Sequence, residues 1–250
     1  FDFYKELTEI VFYSNNRGEK FGLFSNDNII SKEIFINEEF DLKKFIKILN
    51  FLNKKNKIKN LYDIGANIGS ICIPAVKRNL VEAAYAIEPV SKNFKLLKIN
   101  IILNNLEDKI KSFNYALGSV DDQNLEMELA HDNSGDHRIR LKQLASNLYD
   151  EKRRVIEKVK SKKFDTLFQN INSQTDLVWI DTQGFEPAIL SGAQNLINSK
   201  TPIVLEFWPY GLKRNNLWEQ MRVILEKFSY FADLSEKEIY LKKINKENLD

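Results

Sequence analysis

The feature that most constrains the fold is an alternation of short, largely apolar strand patterns with amphipathic helix patterns from about residue 60 onward. The strand patterns lie at residues 61–64, 83–87, 111–117, 177–181 and 203–207. In most segments between them, apolar residues recur three and four positions apart, as on one face of a helix. Apolar strands joined by helices are typical of parallel sheets covered on both faces. The sequence therefore predicts an α/β fold with a mostly parallel sheet and helices on both faces.

The first 57 residues do not follow this alternation. Residues 20–24 and 33–36 have β character, and turn-forming Asn and Asp residues lie between them. An amphipathic helix pattern then starts near Asp41, whose side chain can cap it. We therefore expect residues 1–57 to form a small N-terminal β/helix extension, packed on a single globular domain of residues 58–250.

A second irregular segment follows the third strand pattern. Apolar and polar residues alternate at residues 125–129 and 138–141, which is the pattern of half-exposed strands. Turn-forming residues at 133–136 separate them, so we expect an inserted hairpin around residues 120–142. Residues 231–241 contain two weak strand patterns, and the sequence leaves open whether they complete the sheet.

The composition excludes several classes of protein. Lys and Arg number 37 against 35 Asp and Glu, and the net charge of +2 excludes a strongly basic nucleic-acid binder. The single cysteine, Cys72, excludes a disulfide framework and a cysteine-cluster metal site, and the two histidines leave little room for zinc. No apolar run approaches the roughly 18 residues of a membrane span. We therefore expect a cytoplasmic protein without a transmembrane segment.

The most informative local motif is a glycine-containing turn, DIGANIG, at residues 63–69. It joins the first core strand to a helix, at the carboxyl edge where open α/β sheets bind ligands. Gly65 permits a sharp turn, and Gly69 lets the helix begin close to the strand. A dinucleotide fingerprint has three glycines in register, whereas this turn has two, and Asp63 precedes them. The turn therefore favours a cationic or hydroxyl-bearing ligand over a pyrophosphate and argues against a nicotinamide-dependent oxidoreductase.

A second acid, Glu88, follows the second strand, 23 residues after Gly65. At this distance in nucleotide-binding βαβ units an acidic side chain meets the ribose hydroxyl groups. A carboxylate there accepts two hydrogen bonds from a vicinal diol and repels a 2′-phosphate. The turn and this acid together resemble motifs one and two of class I methyltransferases that depend on S-adenosylmethionine (SAM).

Further stretches extend this resemblance to nearly the whole chain. They are EP at residues 88–89, NYALG at 114–118, DTL at 165–167 and VWIDTQGFE at 178–186. With the glycine turn, the set resembles the FkbM-type methyltransferase family over residues 20–235. The family implies a Rossmann-like fold and transfer of a methyl group from SAM, mostly to hydroxyl oxygens of sugars, polyketides or other secondary metabolites, which leaves S-adenosylhomocysteine. Trp179 and Gln183 are departures, since the family often has Lys and Glu at these positions.

The resemblance also implies a set of cofactor-binding residues. By position, the glycine turn would line the methionine end of SAM, Glu88 would hold the ribose, and residues 114–116 would flank the adenine. Asp181 would face the methyl donor and the acceptor. The complete set is Asp63, Gly65, Ala66, Asn67, Gly69, Glu88, Pro89, Asn114, Tyr115, Ala116 and Asp181.

Methyl transfer to a hydroxyl oxygen also needs a group that accepts the hydroxyl proton. The candidate catalytic residues are Asp181, which has the best location, and His131 and His137 on the predicted hairpin. For the acceptor pocket we consider Glu206, Trp208 and Tyr210, although aromatic core packing is the alternative for the two aromatic residues. Thr182, Gln183 and Gly184 follow Asp181 instead of further acids, so no metal site is expected.

The leading prediction is therefore a SAM-dependent O-methyltransferase that acts on a small-molecule or glycan hydroxyl group. Two alternatives remain, a non-catalytic SAM-binding domain of a larger glycan-assembly protein and, with less support, a nicotinamide-dependent oxidoreductase. The changed positions Trp179 and Gln183 motivate the first alternative. We expect no nucleic-acid partner, because neither a basic groove nor an Asn/Asp-Pro-Pro-aromatic step is visible. The oligomeric state is open.

Overall fold

A computed structural model describes residues 1–140 and 153–245. Its strands are β1 (Ile10–Ser14), β2 (Lys20–Phe24), β3 (Asn60–Ile64), β4 (Ala83–Ile87), β5 (Ile110–Phe113), β6 (Ala116–Leu117), β7 (Asn124–Leu129), β8 (Arg138–Arg140), β9 (Val155–Lys162), β10 (Asp176–Ile180), β11 (Ile203–Leu205), β12 (Tyr230–Phe231) and β13 (Lys242–Lys243). Its helices are α1 (Ile30–Asn37), α2 (Leu42–Leu52), α3 (Cys72–Lys77), α4 (Ser91–Leu103), α5 (Phe164–Leu167), α6 (Glu186–Ser191), α7 (Gln194–Asn198), α8 (Pro209–Arg214) and α9 (Trp218–Leu225).

The centre of the fold is a five-stranded sheet in the order β11-β10-β3-β4-β5, in which every pair of neighbours is parallel. Successive side chains of a strand point to opposite faces. Leu61 and Trp179 accordingly belong to an apolar cluster with α2, α3 and α4. Tyr62 and Val178 belong to a second cluster with α6, α7 and α9. The predicted α/β architecture, with helices on both faces of a parallel sheet, is confirmed.

The N-terminal extension contains one element that the sequence analysis assigned wrongly. Residues 33–36 are helical, in α1, instead of extended. Asp27 explains the helix, because its carboxylate accepts hydrogen bonds from the backbone nitrogens of Ile29 and Ser31 at 3.0 Å each. Ile30 and Ile34 then lie one helical turn apart and are both buried. Burial of this apolar face overrides the β propensity of the isoleucines.

The extension is joined to the core through the side chain of Asn100 in α4. Its Oδ1 accepts a hydrogen bond from Gly22 N at 2.6 Å, and its Nδ2 donates to Gly22 O and to Ile68 O. A Cβ on Gly22 would lie 2.7 Å from Leu96, so β2 approaches α4 more closely than a larger residue would allow. This contact sets the extension beside the turn that follows β3.

The inserted segment forms a larger sheet than the predicted hairpin. The hairpin itself is confirmed, since β7 and β8 pair antiparallel with Met127 opposite Ile139. β9, which the sequence analysis did not predict, pairs antiparallel with β7 and parallel with β6, giving the order β6-β9-β7-β8. The strand predicted at residues 111–117 is divided between β5 and β6, because the chain passes from one sheet to the other at Asn114 and Tyr115.

The two weak strand patterns near the end of the sequence do not join the central sheet. β12 and β13 pair only with each other in the described part of the chain, with Tyr230 opposite Lys243. Among the residues that the structure describes, no helix has the length and apolar character needed to cross a bilayer.

Candidate active site

A cleft opens at the carboxyl edge of the central sheet, beside the ends of β3, β4 and β10. Of the predicted cofactor residues, the cleft is lined by Asp63, Gly65, Asn67, Glu88, Pro89, Tyr115, Ala116 and Asp181. Ala66, Gly69 and Asn114 lie next to these residues without lining the cleft. Asn114 instead donates hydrogen bonds to Glu88 O and Pro89 O at 2.9 and 3.0 Å, and so joins the ends of β4 and β5.

The glycine turn crosses the end of β10 at very short distance. Gly65 has a φ of +87°, and a Cβ at this position would lie 2.0 Å from the carbonyl oxygen of Asp181. Gly65 N and Ala66 N both donate to Ile87 O, at 2.9 and 3.0 Å. Only glycine both adopts this positive φ readily and lacks the Cβ that would collide with Asp181. The turn therefore brings the ends of three neighbouring strands into one wall.

Glu88 is bound to this turn and to the start of α4. Its Oε2 accepts a hydrogen bond from Asn67 N, and its Oε1 accepts one from Val90 N, both at 2.9 Å. The residue is 4% exposed. Burial raises the pKa of Glu88 to about 7, although the two backbone donors oppose this effect. Glu88 is thus held rigidly with its carboxyl group in the cleft wall.

Asp63 is a second buried acid in the same wall. Its Oδ2 accepts a hydrogen bond from Cys72 N at 3.2 Å, in the first turn of α3. Burial raises the pKa of Asp63 to about 7, and the nearby charge of Asp181 adds to the effect. Two buried carboxyl groups on neighbouring strands therefore give the cleft an acidic wall, which a positively charged ligand would stabilise.

Asp181 follows β10 and is held by the side chain of Gln183. Gln183 Nε2 donates to Asp181 Oδ1 and to Glu206 Oε2, both at 2.9 Å. Burial raises the pKa of Asp181, whereas the hydrogen bond from Gln183 lowers it. Burial and the charge of Asp181 raise the pKa of Glu206 to about 8. Glu206, which the sequence analysis placed near the acceptor, is thus connected to Asp181 without lining the cleft.

Glu186 begins α6 and organises the turn after Asp181. Its Oε1 accepts hydrogen bonds from Thr182 N, Thr182 Oγ1 and Gly184 N. Its Oε2 is buried without a hydrogen-bond partner among the described residues, and burial raises the pKa of Glu186 to about 7. Glu186 therefore holds the turn between β10 and α6, and its buried carboxyl group lies close enough to Asp181 for the two charges to interact.

The two histidines occupy different environments. His137 lines the cleft, and its Nδ1 accepts a hydrogen bond from Ala130 N at 3.0 Å. Burial lowers the pKa of His137 to about 4, so the ring is neutral at pH 7 and carries its proton on Nε2. Nε2 is then a hydrogen-bond donor. His131 is exposed and lies outside the cleft wall.

The predicted aromatic acceptor residues lie beside the inserted sheet and outside the cleft wall. The ring of Trp208 lies under the guanidinium group of Arg138, at 4.9 Å, and Tyr210 is its aromatic neighbour at 5.2 Å between ring centroids. Arg138 is fully buried and forms an ion pair with Asp136. Trp208 is half-buried and packs against the inserted sheet.

Several cleft residues were missed by the sequence analysis because they come from the extension and the insertion. Phe40 and Asp41 precede α2, and Ser134, Gly135 and Ile139 belong to the inserted segment. Asn67 Nδ2 donates to Ser134 O at 2.7 Å, and Ser134 Oγ donates to Asp27 Oδ2 at 2.6 Å. The polar DNSGD sequence at 132–136 indicated a turn of the predicted hairpin, but no local signal indicated that Ser134 would bind Asn67 and Asp27.

The strand order and the acid-lined glycine turn at the carboxyl edge define a class I, Rossmann-like methyltransferase fold. The profile of one family, described as the methyltransferase FkbM domain, matches residues 63–232. The chain therefore belongs to the FkbM methyltransferase family, which confirms the resemblance found in the sequence. No curated protein matches the chain.

The solved structures that match this chain are only distantly related to it in sequence. The methyltransferase FkbM from Methylobacillus flagellatus is 17% identical with a TM-score of 0.45, over 70% of this chain and 39% of that one. P. horikoshii TYW2 in complex with MeSAdo is 13% identical with a TM-score of 0.40, over 90% of this chain and 62% of that one. M. jannaschii TYW2 in complex with AdoMet is 13% identical with a TM-score of 0.39, over 90% of this chain and 75% of that one. The chain thus spans less than two thirds of the length of the first two of these proteins.

Proposed function

We propose that this protein binds SAM and transfers its methyl group to a hydroxyl oxygen of a sugar, glycan or secondary metabolite. The observation that carries the proposal is the acidic wall formed by Asp63 and Glu88 on either side of the glycine turn. Both carboxyl groups are buried, and burial raises the pKa of each to about 7. A positively charged ligand with hydroxyl groups relieves the cost of ionising them, whereas a pyrophosphate increases it.

The residues present fit SAM in both chemistry and position. The turn at residues 63–69 would hold its methionine end, Glu88 its ribose hydroxyl groups, and Tyr115 with Ala116 its adenine. Each oxygen of Glu88 accepts one backbone hydrogen bond and retains a lone pair for a further donor. When bound, SAM supplies an electrophilic methyl group on a positively charged sulfur.

Asp181 is the group that we expect to accept the hydroxyl proton. Its Oδ1 is bound by Gln183, and its Oδ2 accepts no hydrogen bond from the described residues. When the acceptor hydroxyl takes up the methyl group that bound SAM would supply, Asp181 would accept the hydroxyl proton at Oδ2. The protein contributes alignment, exclusion of water and this proton acceptor. His137 cannot serve through Nε2, which carries a proton at neutral pH.

Two measurements test the proposal. Isothermal titration calorimetry compares S-adenosylhomocysteine with NADH, and we expect heat of binding only for the first. SAM labelled in its methyl group is then incubated with monosaccharides, glycans, other hydroxylated metabolites and tRNA. Transfer to a hydroxyl oxygen supports the proposal, and Asp181→Asn should abolish it while Asp108→Asn, an exposed control, leaves it unchanged.

Other outcomes of the same measurements contradict the proposal in different ways. Binding of S-adenosylhomocysteine without transfer to any acceptor would indicate a non-catalytic SAM-binding domain. Transfer only to a tRNA base would preserve the methyltransferase and reject the hydroxyl acceptor. Binding of NADH alone would overturn the cofactor itself.

A further inference from the structure

The side chain of Gln183 connects two acids that come from different strands. A single nitrogen, Nε2, lies 2.9 Å from Asp181 Oδ1, after β10, and 2.9 Å from Glu206 Oε2, after β11. An amide nitrogen has two hydrogens, so it can donate one to each acid. The opposite orientation would place the amide oxygen against two carboxyl groups and is electrostatically unfavourable.

The backbone of Gln183 is held firmly in an uncommon conformation. Gln183 has a φ of +55°, in the left-handed region that few residues other than glycine adopt. On one side, Glu186 Oε1 accepts hydrogen bonds from Thr182 N and Gly184 N. On the other side, a Cβ on Gly184 would lie 2.7 Å from the Cα of Gly211 in α8, so the turn is in close contact with that helix. The amide group is therefore an immobile, preorganised donor.

We propose that Gln183 is a positioning residue that holds Asp181 and Glu206 side by side as a pair with one proton at neutral pH. In this arrangement Glu206 carries the proton, and Asp181 stays ionised with Oδ2 available to the acceptor hydroxyl. The inference deepens the proposed function and rests on it for the role of Asp181. The two hydrogen bonds from Gln183 Nε2 to Asp181 and Glu206, which we call the clamp, follow from the geometry of the turn alone.

The electrostatic surroundings support this division of roles. The charged and titratable groups around the pair are Asp41 and Lys44 at the start of α2, Asp63 in β3, Asp136 in the inserted segment and Glu186 in α6. Most of them are acids, so two ionised carboxyl groups would repel each other and their neighbours. Burial and the charge of Asp181 raise the pKa of Glu206 to about 8, burial also raises the pKa of Asp181, and the hydrogen bonds from Gln183 oppose the rise for both acids. A glutamate at residue 183 would instead bring a third carboxyl group into contact with the pair.

The test removes the donor while preserving the length of the side chain. Gln183→Met is close to isosteric and loses both N–H groups, and Gln183→Glu replaces the donor by a further acid. Gln123→Ala, at an exposed position in the inserted segment, is the control. The titrations of Asp181 and Glu206 are followed by carbon-13 NMR of labelled carboxyl groups, assigned with Asp181→Asn and Glu206→Gln.

In Gln183→Met we expect both apparent pKa values to rise, by about one unit, because a charge-assisted hydrogen bond to each acid is lost. The ascending limb of the pH profile of kcat should shift by the same amount, so kcat should fall about tenfold at pH values below this limb and change little well above it. KM for SAM should stay within about twofold. Gln183→Glu should move the titrations in the same direction and serves if Gln183→Met does not fold.

The possible failures are separable. Unchanged titrations of both acids in a folded Gln183 variant would overturn the clamp, whatever the activity. Shifted titrations in a protein that methylates no hydroxyl acceptor would preserve the clamp and reject the proposed function. A fall in kcat with an unshifted pH profile would overturn the proposed role of Gln183 in setting the protonation of Asp181 and Glu206.

Discussion

Asn67 N donates a hydrogen bond to Glu88 Oε2 at 2.9 Å, so the turn after β3 is bound directly to the acid after β4. Asn67 has a φ of +51°, a left-handed conformation that directs this nitrogen toward the neighbouring strand. The pairing makes Glu88 part of the turn as well as a candidate ligand for ribose. Substitution of Glu88 should therefore affect stability and binding together.

We expect Glu88→Gln to weaken binding of S-adenosylhomocysteine by about tenfold or more and to lower the free energy of unfolding by about 1–3 kcal/mol. Glutamine has one acceptor oxygen, so one of the two backbone donors, Asn67 N or Val90 N, would face an NH₂ group. Calorimetry and urea denaturation measure the two effects, and exposed Glu82→Gln is the control. Loss of stability with unaltered affinity would show that Glu88 is structural only.

Affinity for S-adenosylhomocysteine should rise with pH between 6 and 8. The pKa values of Asp63 and Glu88 are both about 7, so these groups are mostly protonated at pH 6 and mostly ionised at pH 8. The ligand carries an ammonium group and interacts better with the ionised wall. Calorimetry at constant ionic strength should show at least a severalfold gain in affinity from pH 6 to pH 8, and the Asp63→Asn substitution should reduce this gain. An affinity independent of pH would contradict the acidic-wall account.

Glu186 should make the unliganded protein less stable as the pH rises. Its pKa of about 7 in the folded state exceeds the ordinary value of 4.5, so the folded protein retains a proton that the unfolded chain releases. The stabilisation is complete below pH 4 and is lost as the pH rises through 7. Glu186→Gln removes this dependence, and its stability relative to wild type should improve by up to about 3 kcal/mol between pH 5 and 8.

Urea denaturation at pH 5 and at pH 8 measures the change in stability. The amide side chain of the Glu186→Gln variant keeps an acceptor oxygen for Thr182 and Gly184, so the variant removes the titrating group and preserves these hydrogen bonds. Glu226→Gln, at an exposed position, is the matched control and should show no such difference. Parallel pH dependences of wild type and Glu186→Gln would mean that the buried carboxyl group does not retain its proton.

Comparison of Gly65→Ala with Gly18→Ala separates the cost of a strained backbone conformation from the cost of a steric clash of the new Cβ. Both glycines have positive φ, +87° and +78°. A Cβ at residue 65 would lie 2.0 Å from Asp181 O, whereas nothing lies within 4 Å of a Cβ at residue 18. We expect Gly18→Ala to cost about 1 kcal/mol and Gly65→Ala more than about 4 kcal/mol, or to prevent folding. Similar losses in urea denaturation would refute the close approach of Gly65 to the carbonyl oxygen of Asp181.

Ser134→Ala should accelerate exchange of the ligand. Ser134 lines the cleft and joins the inserted segment to Asp27 in the extension, while its carbonyl oxygen accepts a hydrogen bond from Asn67. Without the hydroxyl group, we expect association and dissociation of S-adenosylhomocysteine to become about threefold to tenfold faster, since one net hydrogen bond is lost. Stopped-flow fluorescence measures both rates, and exposed Ser119→Ala is the control. Unchanged rates would show that this contact does not limit access.

The parts of the fold that the sequence predicted are those determined by local pattern. Residues 61–64 and 83–87 are short, largely apolar runs of the kind that form buried strands, and Gly65 and Gly69 have the positive φ that their turn requires. The position of Glu88 at the end of the second strand then followed from the alternation alone. The wall of the cleft was predictable because neighbouring parallel strands end at the same edge.

The parts that were not predicted depend on contacts between distant segments. β9 has the sequence VIEKVKSK, which is charged and half-exposed, and becomes a strand because β7 supplies its hydrogen bonds. α1 contains β-branched residues and becomes a helix through Asp27 and burial of Ile34. Ser134 reaches the cleft only because the extension and the insertion meet there. Such contacts leave no periodic signal within either segment.

The central position of β3 has a consequence for synthesis on the ribosome. One partner of β3, β4, emerges soon after it, but the other partner, β10, is translated more than a hundred residues later. The hydrogen bond that Asn60 Nδ2 donates to Asp176 Oδ1 at 2.8 Å can form only then. Until then the nascent chain presents an open, apolar strand edge. Completion of this sheet is therefore a late, long-range event, and the interval before it is when the polypeptide is most exposed to self-association.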